Sequence, residues 1–138
     1  MNLAPHLNFG GNCKEAFRFY EQNVGGKINV MMTQADMPAE GRLPGANPDA
    51  VAHARMTIGH GELIGNDVPP EHFQPMRSAY LYLTVDTPEE ADRIFAVLSE
   101  GGQVYMPLAE TFFASRFAML RDRFGVSWTL ICPRPQAS

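Results

Sequence analysis

Asn12-Cys13-Lys14-Glu15-Ala16-Phe17-Arg18-Phe19-Tyr20 comes back as Thr87-Pro88-Glu89-Glu90-Ala91-Asp92-Arg93-Ile94-Phe95. The shift is 87 − 12 = 75 positions, and Glu, Ala and Arg recur at the same offsets. With one residue of drift, Gly25-Gly26-Lys27-Ile28 is echoed by Gly101-Gly102-Gln103-Val104. A repeat of this length is too long for a solenoid unit and too short for a second full domain. It implies two copies of one helix-plus-strands module in a single domain, with a site where the copies meet.

Each copy carries a helix start. Asn12 with Glu15, and Thr87 with Glu90, have the spacing of a capping box, and Pro88 suits the first helical position. Ala16, Phe19, Tyr20 and Asn23, widened by Phe17 and Val24, form one apolar stripe. Ala91, Ile94, Phe95 and Leu98 form the other. Both follow the spacing of an amphipathic helix. Both stop at a Gly-Gly pair, where glycine tolerates a left-handed cap.

Strands flank each helix. Residues 4–9 put Leu7 and Phe9 on one face and His6 and Asn8 on the other. Residues 78–85 alternate Leu81, Leu83 and Val85 with Tyr80, Tyr82 and Thr84. That period of two marks a half-buried strand. Further strands are predicted over 27–34, 51–59 and 62–66, and over 103–108, 116–121 and 127–132. Each copy then reads β-α-β-β-β, an α+β fold. Module one spans 1–66, a linker 67–77 and module two 78–138. The Pro- and Gly-bearing stretch 36–49 is a long loop, a common place for function.

The chain has 138 residues, 45% of them hydrophobic, and a formal net charge of −4. With no Lys/Arg run it suits neither nucleic acid nor an anionic membrane. No apolar run approaches the roughly 20 residues that span a bilayer, and no secretory signal is evident. Two cysteines, Cys13 and Cys132, make no disulfide framework, so the cytoplasm is expected.

Several side chains are candidates for chemistry. His53, Arg55 and Thr57 point away from the apolar face formed by Ala52, Ala54, Met56 and Ile58. His53 beside Arg55 reads either as an acid/base with an anion clamp or as a hydrogen-bonded structural pair. Tyr80 and Tyr82 offer flat walls with hydrogen-bonding tips, or a packed interface. Phe112 and Phe113 read as a pocket lid or as core. Arg121, Asp122 and Arg123 read as a turn held by ion pairs, with anion binding as the alternative. Trp128 reads as core. Cys13 in a first helical turn reads as an inert packed thiol or an activated one. His60 lies in a Gly59-His60-Gly61 turn and His72 in the linker, neither spaced as a chelating pair. There is no serine elbow, P-loop or paired-carboxylate signature.

Pro5-His6-Leu7-Asn8-Phe9, Gly11-Asn12-Cys13 with Glu15-Ala16-Phe17, His53-Ala54-Arg55, Met106-Pro107-Leu108 with Thr111-Phe112, and the run Asp122 to Trp128 sample nearly the whole chain. Together they resemble the PhnB-like branch of the vicinal oxygen chelate superfamily, which includes glyoxalases, extradiol dioxygenases and bleomycin-resistance proteins. The chain departs from that pattern at Phe113, where relatives carry Trp, and at Ala114-Ser115, where glycine is usual. The resemblance implies curved mixed half-sheets around a cavity, helices on their outer faces, and a homodimer. Some relatives carry a methyltransferase name from ubiquinone synthesis. A nucleotide-type cofactor calls for a glycine-rich turn between strand and helix; none is expected here, the glycine pairs following helices.

Metal-dependent members hold a divalent ion with His and Glu from both modules. The corresponding positions are Pro5 or His6, Tyr80, Gly65 or Asn66, and Thr129, a set without a carboxylate. A catalytic zinc-like ion takes about three protein ligands. The expectation is therefore a small organic or anionic ligand bound in the inter-module cavity by His6, Asn8, Tyr80, Tyr82, Phe112, Phe113 and Thr129, with neither metal nor cofactor. The alternative is an enzyme of the lyase, isomerase or dioxygenase kind, using His53 and Arg55 or a metal on other ligands.

Overall fold

Two glycines and an asparagine turn the chain from its first strand, β1 (His6–Phe9), into its first helix, α1 (Cys13–Asn23). In this computed structural model, which describes residues 1–135, three more strands follow: β2 (Gly26–Thr33), β3 (Val51–Ile58) and β4 (Gly61–Asp67). The same order then repeats as β5 (Tyr80–Thr84), α2 (Pro88–Ser99), β6 (Gln103–Ala109), β7 (Ala114–Arg121) and β8 (Ser127–Pro133). The chain divides into two units, Met1–Pro75 and the part from Met76 onward. Asp67, read as the first linker residue, is instead the last residue of β4.

The first unit holds a four-stranded sheet in the order β1-β4-β3-β2, and the second holds one in the order β5-β8-β7-β6. In each, the strand before the helix pairs in parallel with the last strand, and the remaining pairs are antiparallel. The crossover through the helix explains this, because a parallel pair needs a long connection while antiparallel strands close through short turns. Each copy is thus β-α-β-β-β, and the fold class is α+β with two mixed sheets.

The helices fill one face of each sheet. On α1 the buried side chains are Cys13, Ala16, Phe17 and Tyr20, with Val24 just beyond. Phe19, placed on the central stripe by sequence, sits at its half-buried margin. The true stripe is rotated toward Phe17, whose ring packs edge-on against Phe9 at 6.2 Å. Burying such a ring contributes about 1.5–3 kcal/mol. Gly65 of β4 lies under it: a Cβ there would fall 2.7 Å from Phe17 Cζ and 3.1 Å from Cys13 Sγ. On α2, Ala91, Ile94 and Leu98 are buried, as the periodicity predicts.

The two helix starts differ. At α2, Thr87 Oγ1 accepts from the Glu90 amide at 3.1 Å, and Glu90 turns its carboxylate to Arg93 rather than back to the cap. At α1 the expected capping box does not form, and Asn12 makes no side-chain cap bond. The Asp67 carboxylate takes its place. Its Oδ1 accepts from the amides of Gly11 (3.1 Å) and Cys13 (3.0 Å), and its Oδ2 from that of Val51 (2.9 Å). A full negative charge at a helix N-terminus is a stronger partner than a neutral amide side chain. Past the helix ends, Gly25 (φ +82°) and Gly101 (φ +73°) adopt the left-handed conformation, as their sequence position predicts.

The turn between β7 and β8 is organised by Asp122. Its carboxylate accepts from the amides of Phe124 (2.9 Å) and Val126 (3.0 Å) and from the indole of Trp128 (2.9 Å). Trp128 is buried, as expected of a core residue. Arg123 lies over the Phe124 ring at 4.7 Å, while Arg121 enters no ion pair among the described residues. No helix among those residues is long and apolar enough to cross a membrane.

Candidate functional site

Register decides which side chains share the face that no helix covers. In the first unit His6 pairs with Ile64, Asn8 with Asn66, Arg55 with Ile64 and Thr57 with Glu62. Partners in register point to the same side. His6, Asn8, His53, Arg55, Thr57, Glu62 and Asn66 therefore share the helix-free face, while Leu7, Phe9, Ala54, Met56, Leu63 and Gly65 take the other. The side-chain direction expected for His53 and Arg55 agrees with this.

What those groups do on the face is more specific. His6 Nε2 lies 2.5 Å from Asn66 Oδ1. Arg55 is engaged in an ion pair with Glu62, which commits its guanidinium to a neighbour on the next strand. His53 is half-buried and next to Met32 of β2 in register. Asn29 reaches Thr57 Oγ1 at 2.8 Å. Ile64, Val30 and Met32 share this face by the same register, and most of its polar groups are already paired with each other.

In the second unit Tyr80 pairs with Ser127 and Tyr82 with Thr129. Across β7, Arg121 pairs with Ser127 and Met119 with Thr129. The helix-free face here is a set of hydroxyls and aromatic rings beside Met119 and Arg121. Tyr82 is 66% exposed and Thr129 is buried. Phe112 and Phe113 belong to the turn between β6 and β7. Phe112 is 91% exposed, so it is not core in this chain; Phe113 stacks edge-on with Phe112 at 5.1 Å and with Phe117 at 5.0 Å. Arg134 fixes this turn, donating to Phe112 O (3.2 Å) and Glu110 Oε1 (2.8 Å).

The standard chelate positions do not suit a divalent ion. Pro5 or His6, Gly65 or Asn66, Tyr80 and Thr129 supply at most one imidazole, one amide and two hydroxyls, and the His6 imidazole is turned to the Asn66 amide. Within neither unit do three His, Cys, Asp or Glu side chains gather among the described residues. A hard or borderline cation would be left without the anionic donor that such sites normally include.

One glycine pair does join a strand to a helix, contrary to the sequence reading: Gly10 and Gly11 lie between β1 and α1. Amides exposed at such a turn ordinarily receive a phosphate. Here Asp67 already occupies those of Gly11 and Cys13, so the turn does not fit a nucleotide-type cofactor. Beside it opens a cavity of about 340 Å³, bordered by Gly10, Asp67, the loop 43–50 and residues 68–71. Cys13 shares this helix start but is fully buried, and burial, aided by the Asp67 charge, pushes its thiol far above its ordinary range. The inert reading of Cys13 is the one this environment supports. Asp67 is the residue that sequence reasoning missed; Asp122 was placed at its turn, but not as the acceptor for two amides and the Trp128 indole. Asp67 had a signal: it falls on the apolar phase of β4 with Leu63 and Gly65, and an acid on a core face needs partners.

The geometry has counterparts among known proteins. The family model described as 3-demethylubiquinone-9 3-methyltransferase matches residues 1–131. The chain is 30% identical over 138 residues, 94% of each protein, to Protein YjdN of Escherichia coli (strain K12). It is 38% identical to protein PA1353 from Pseudomonas aeruginosa, covering 98% of this chain and 99% of that one with a TM-score of 0.88. It is 29% identical to a putative 3-demethylubiquinone-9 3-methyltransferase, PhnB protein, from Bacillus cereus, covering 96% and 99% with a TM-score of 0.80. A glyoxylase/bleomycin resistance protein/dioxygenase domain from Frankia sp. EAN1pec, 13% identical over 99% of this chain and 95% of that one, shares the fold with a TM-score of 0.66. On this match of model, sequence and fold, the chain belongs to the PhnB-like family described as 3-demethylubiquinone-9 3-methyltransferase, within the glyoxalase/bleomycin-resistance fold.

Proposed function

We propose that this protein binds a small organic or anionic molecule against the helix-free faces of its sheets, without the standard metal site. The carrying observation is the contrast between faces. One face of each sheet is filled by a helix, while the other presents His6, Asn8 and His53 in one unit and Tyr80, Tyr82 and Thr129 in the other. Apolar walls with a few placed polar groups are the usual composition of a ligand site. Phe112 and Phe113, exposed at the turn between β6 and β7, are read as a lid over the second face. They also support a homodimer, because a 91% exposed phenylalanine is the kind of aromatic that interfaces cover. The cytoplasm is the compartment in which two unpaired thiols fit best.

Methyl transfer is not carried over from the family's description. It needs a methyl donor, and the glycine turn before α1 gives no cradle for one while Asp67 holds its amides. His53/Arg55 acid–base chemistry is the weaker reading, since Arg55 is committed to Glu62.

The test combines metal analysis with a ligand screen. Purified protein is analysed for metal, titrated calorimetrically with nickel, zinc and manganese, and screened by NMR against small organic acids and aromatics. The expected result is no stoichiometric metal, with hits perturbing the amides of Asn8, His53 and Tyr82. Tight one-to-one metal binding overturns the metal-free site. Hits that perturb only other regions overturn the location.

A further inference from the structure

At one end of the second sheet's helix-free face two arginines come to one pocket with no carboxylate in its lining. Arg121 ends β7, and Arg77 precedes β5. Arg55, Arg93, Arg116 and Arg134 each sit in an ion pair, whereas neither Arg77 nor Arg121 does among the described residues. Arg121 is half-buried, and its Nε donates to Gly125 O at 3.3 Å. That bond holds the guanidinium plane and leaves its two terminal nitrogens without an acceptor.

These two residues border a pocket of about 180 Å³, together with Met76, Ser78, Tyr80, Tyr105 and Ser127. The rings of Tyr80 and Tyr105 meet at 6.2 Å with their planes 56° apart, forming a bent aromatic wall. Ser78 is the one non-glycine among the described residues with a left-handed backbone, φ +58°. That conformation is unfavourable for a residue with a Cβ and tends to persist where a site requires it. Here it lies between Arg77 and Tyr80 and lets both line the same pocket.

A fixed guanidinium fork with free terminal nitrogens matches the oxygen pair of a carboxylate or phosphate. The tyrosine wall suits a flat apolar body. We propose that this pocket is an oxyanion site that takes a small aromatic acid, its charge on Arg77 and Arg121 and its ring against Tyr80 and Tyr105. The assignment goes beyond the reading above: Tyr80 is common to both, but the anion partners Arg77 and Arg121 belong to this pocket alone, so the two can fail separately.

The test is an NMR titration of the full chain with benzoate and phenyl phosphate, using inorganic phosphate and benzyl alcohol as controls. The expected result is saturable binding of an aromatic acid in the millimolar range or tighter, perturbing the amides of Ser78, Tyr105 and Ser127. Inorganic phosphate binds more weakly at the same amides, benzyl alcohol does not bind, and added salt weakens both anions. Arg121→Gln weakens the aromatic acid about tenfold and Arg77→Gln about threefold, with Arg121→Lys recovering part of the loss. Arg18→Gln, on the exposed face of α1, changes nothing. Arg77 is exposed, so its variant keeps the test decisive even if the Arg121 variants misfold. Unchanged affinity in Arg77→Gln overturns the site. So does anion binding scattered over the surface, and so do shifts confined to His6, Asn8, His53 and Tyr82, an outcome that leaves the first proposal intact.

Discussion

Replacing Asp67 by Ala removes the acceptor for three backbone amides at once. The carboxylate is 7% exposed and accepts from Gly11, Cys13 and Val51 at 3.1, 3.0 and 2.9 Å. A hydrogen bond to a charged group contributes about 1.5–3 kcal/mol. The three do not add in full, because they share one desolvated carboxylate and water can reach part of the space left behind. A net loss of about 3–5 kcal/mol follows, a large share of the roughly 5–15 kcal/mol that holds a domain together. Asp67→Asn keeps the shape and one acceptor oxygen. If that oxygen stays on Gly11 and Cys13, its NH₂ group faces the Val51 amide donor to donor, and the loss is about 2–3 kcal/mol. Urea unfolding followed through the NMR signals of the α1 amides measures both. A second readout tests the cause. In the Ala variant the freed amides become an anion site, so sulfate should restore stability by about 1.4 kcal/mol at ten times its dissociation constant. Wild type, with Asp67 in place, should respond much less. An Asp67→Asn variant within about 0.5 kcal/mol of wild type, or equal sulfate effects on both proteins, refutes the account.

Two further outcomes are expected. Gly65→Ala puts a methyl group 2.7 Å from a Phe17 ring that is itself fully buried; overpacking should cost about 1–3 kcal/mol, and adding Phe17→Leu should recover part of it, whereas strictly additive losses would sink the steric explanation. Cys13 has a thiol raised far above its ordinary 9.0 by burial and then by Asp67. A raised thiol binds its proton more tightly folded than unfolded, so its stabilising contribution is complete below pH 9.0 and is lost as pH climbs past that value. Chemical denaturation from pH 8 to pH 10.5 should show this decline, flattened in Cys13→Ala; an identical slope in the variant contradicts it.

The elements were legible where local rules govern them. The duplicated Glu-Ala-Arg pattern located both helices, Gly25 and Gly101 marked their ends, and the alternation of Tyr80, Tyr82 and Thr84 with leucines placed the hydroxyls on the face opposite the helix. What was not legible depended on partners distant in sequence. Asn12 and Glu15 satisfy the capping-box pattern, yet the amides go to a carboxylate 54 residues from Cys13. Arg55 looks like a free cation until β3 and β4 are set in register and Glu62 arrives beside it. The pocket at Arg77 and Arg121 needs the left-handed turn at Ser78, which no neighbouring glycine announces.

The two helix starts also set the order in which each half of the chain can assemble. Thr87 caps α2 from three residues away, so that helix is complete as soon as its first turn forms. The cap of α1 comes from the end of β4, and β1 finds its parallel partner only in that same strand. Closing a loop of that length carries an entropy cost that local contacts avoid. In the first half, then, the antiparallel β2-β3-β4 meander has to exist before β1 and α1 are locked, although they are the earliest residues in the chain. In the second half the helix can precede its sheet. Two copies of one motif, alike in final topology, should therefore differ in when their helices lock, and pulsed hydrogen exchange during refolding should show the Cys13 amide gaining protection together with β4 and the Glu90 amide gaining it ahead of β8.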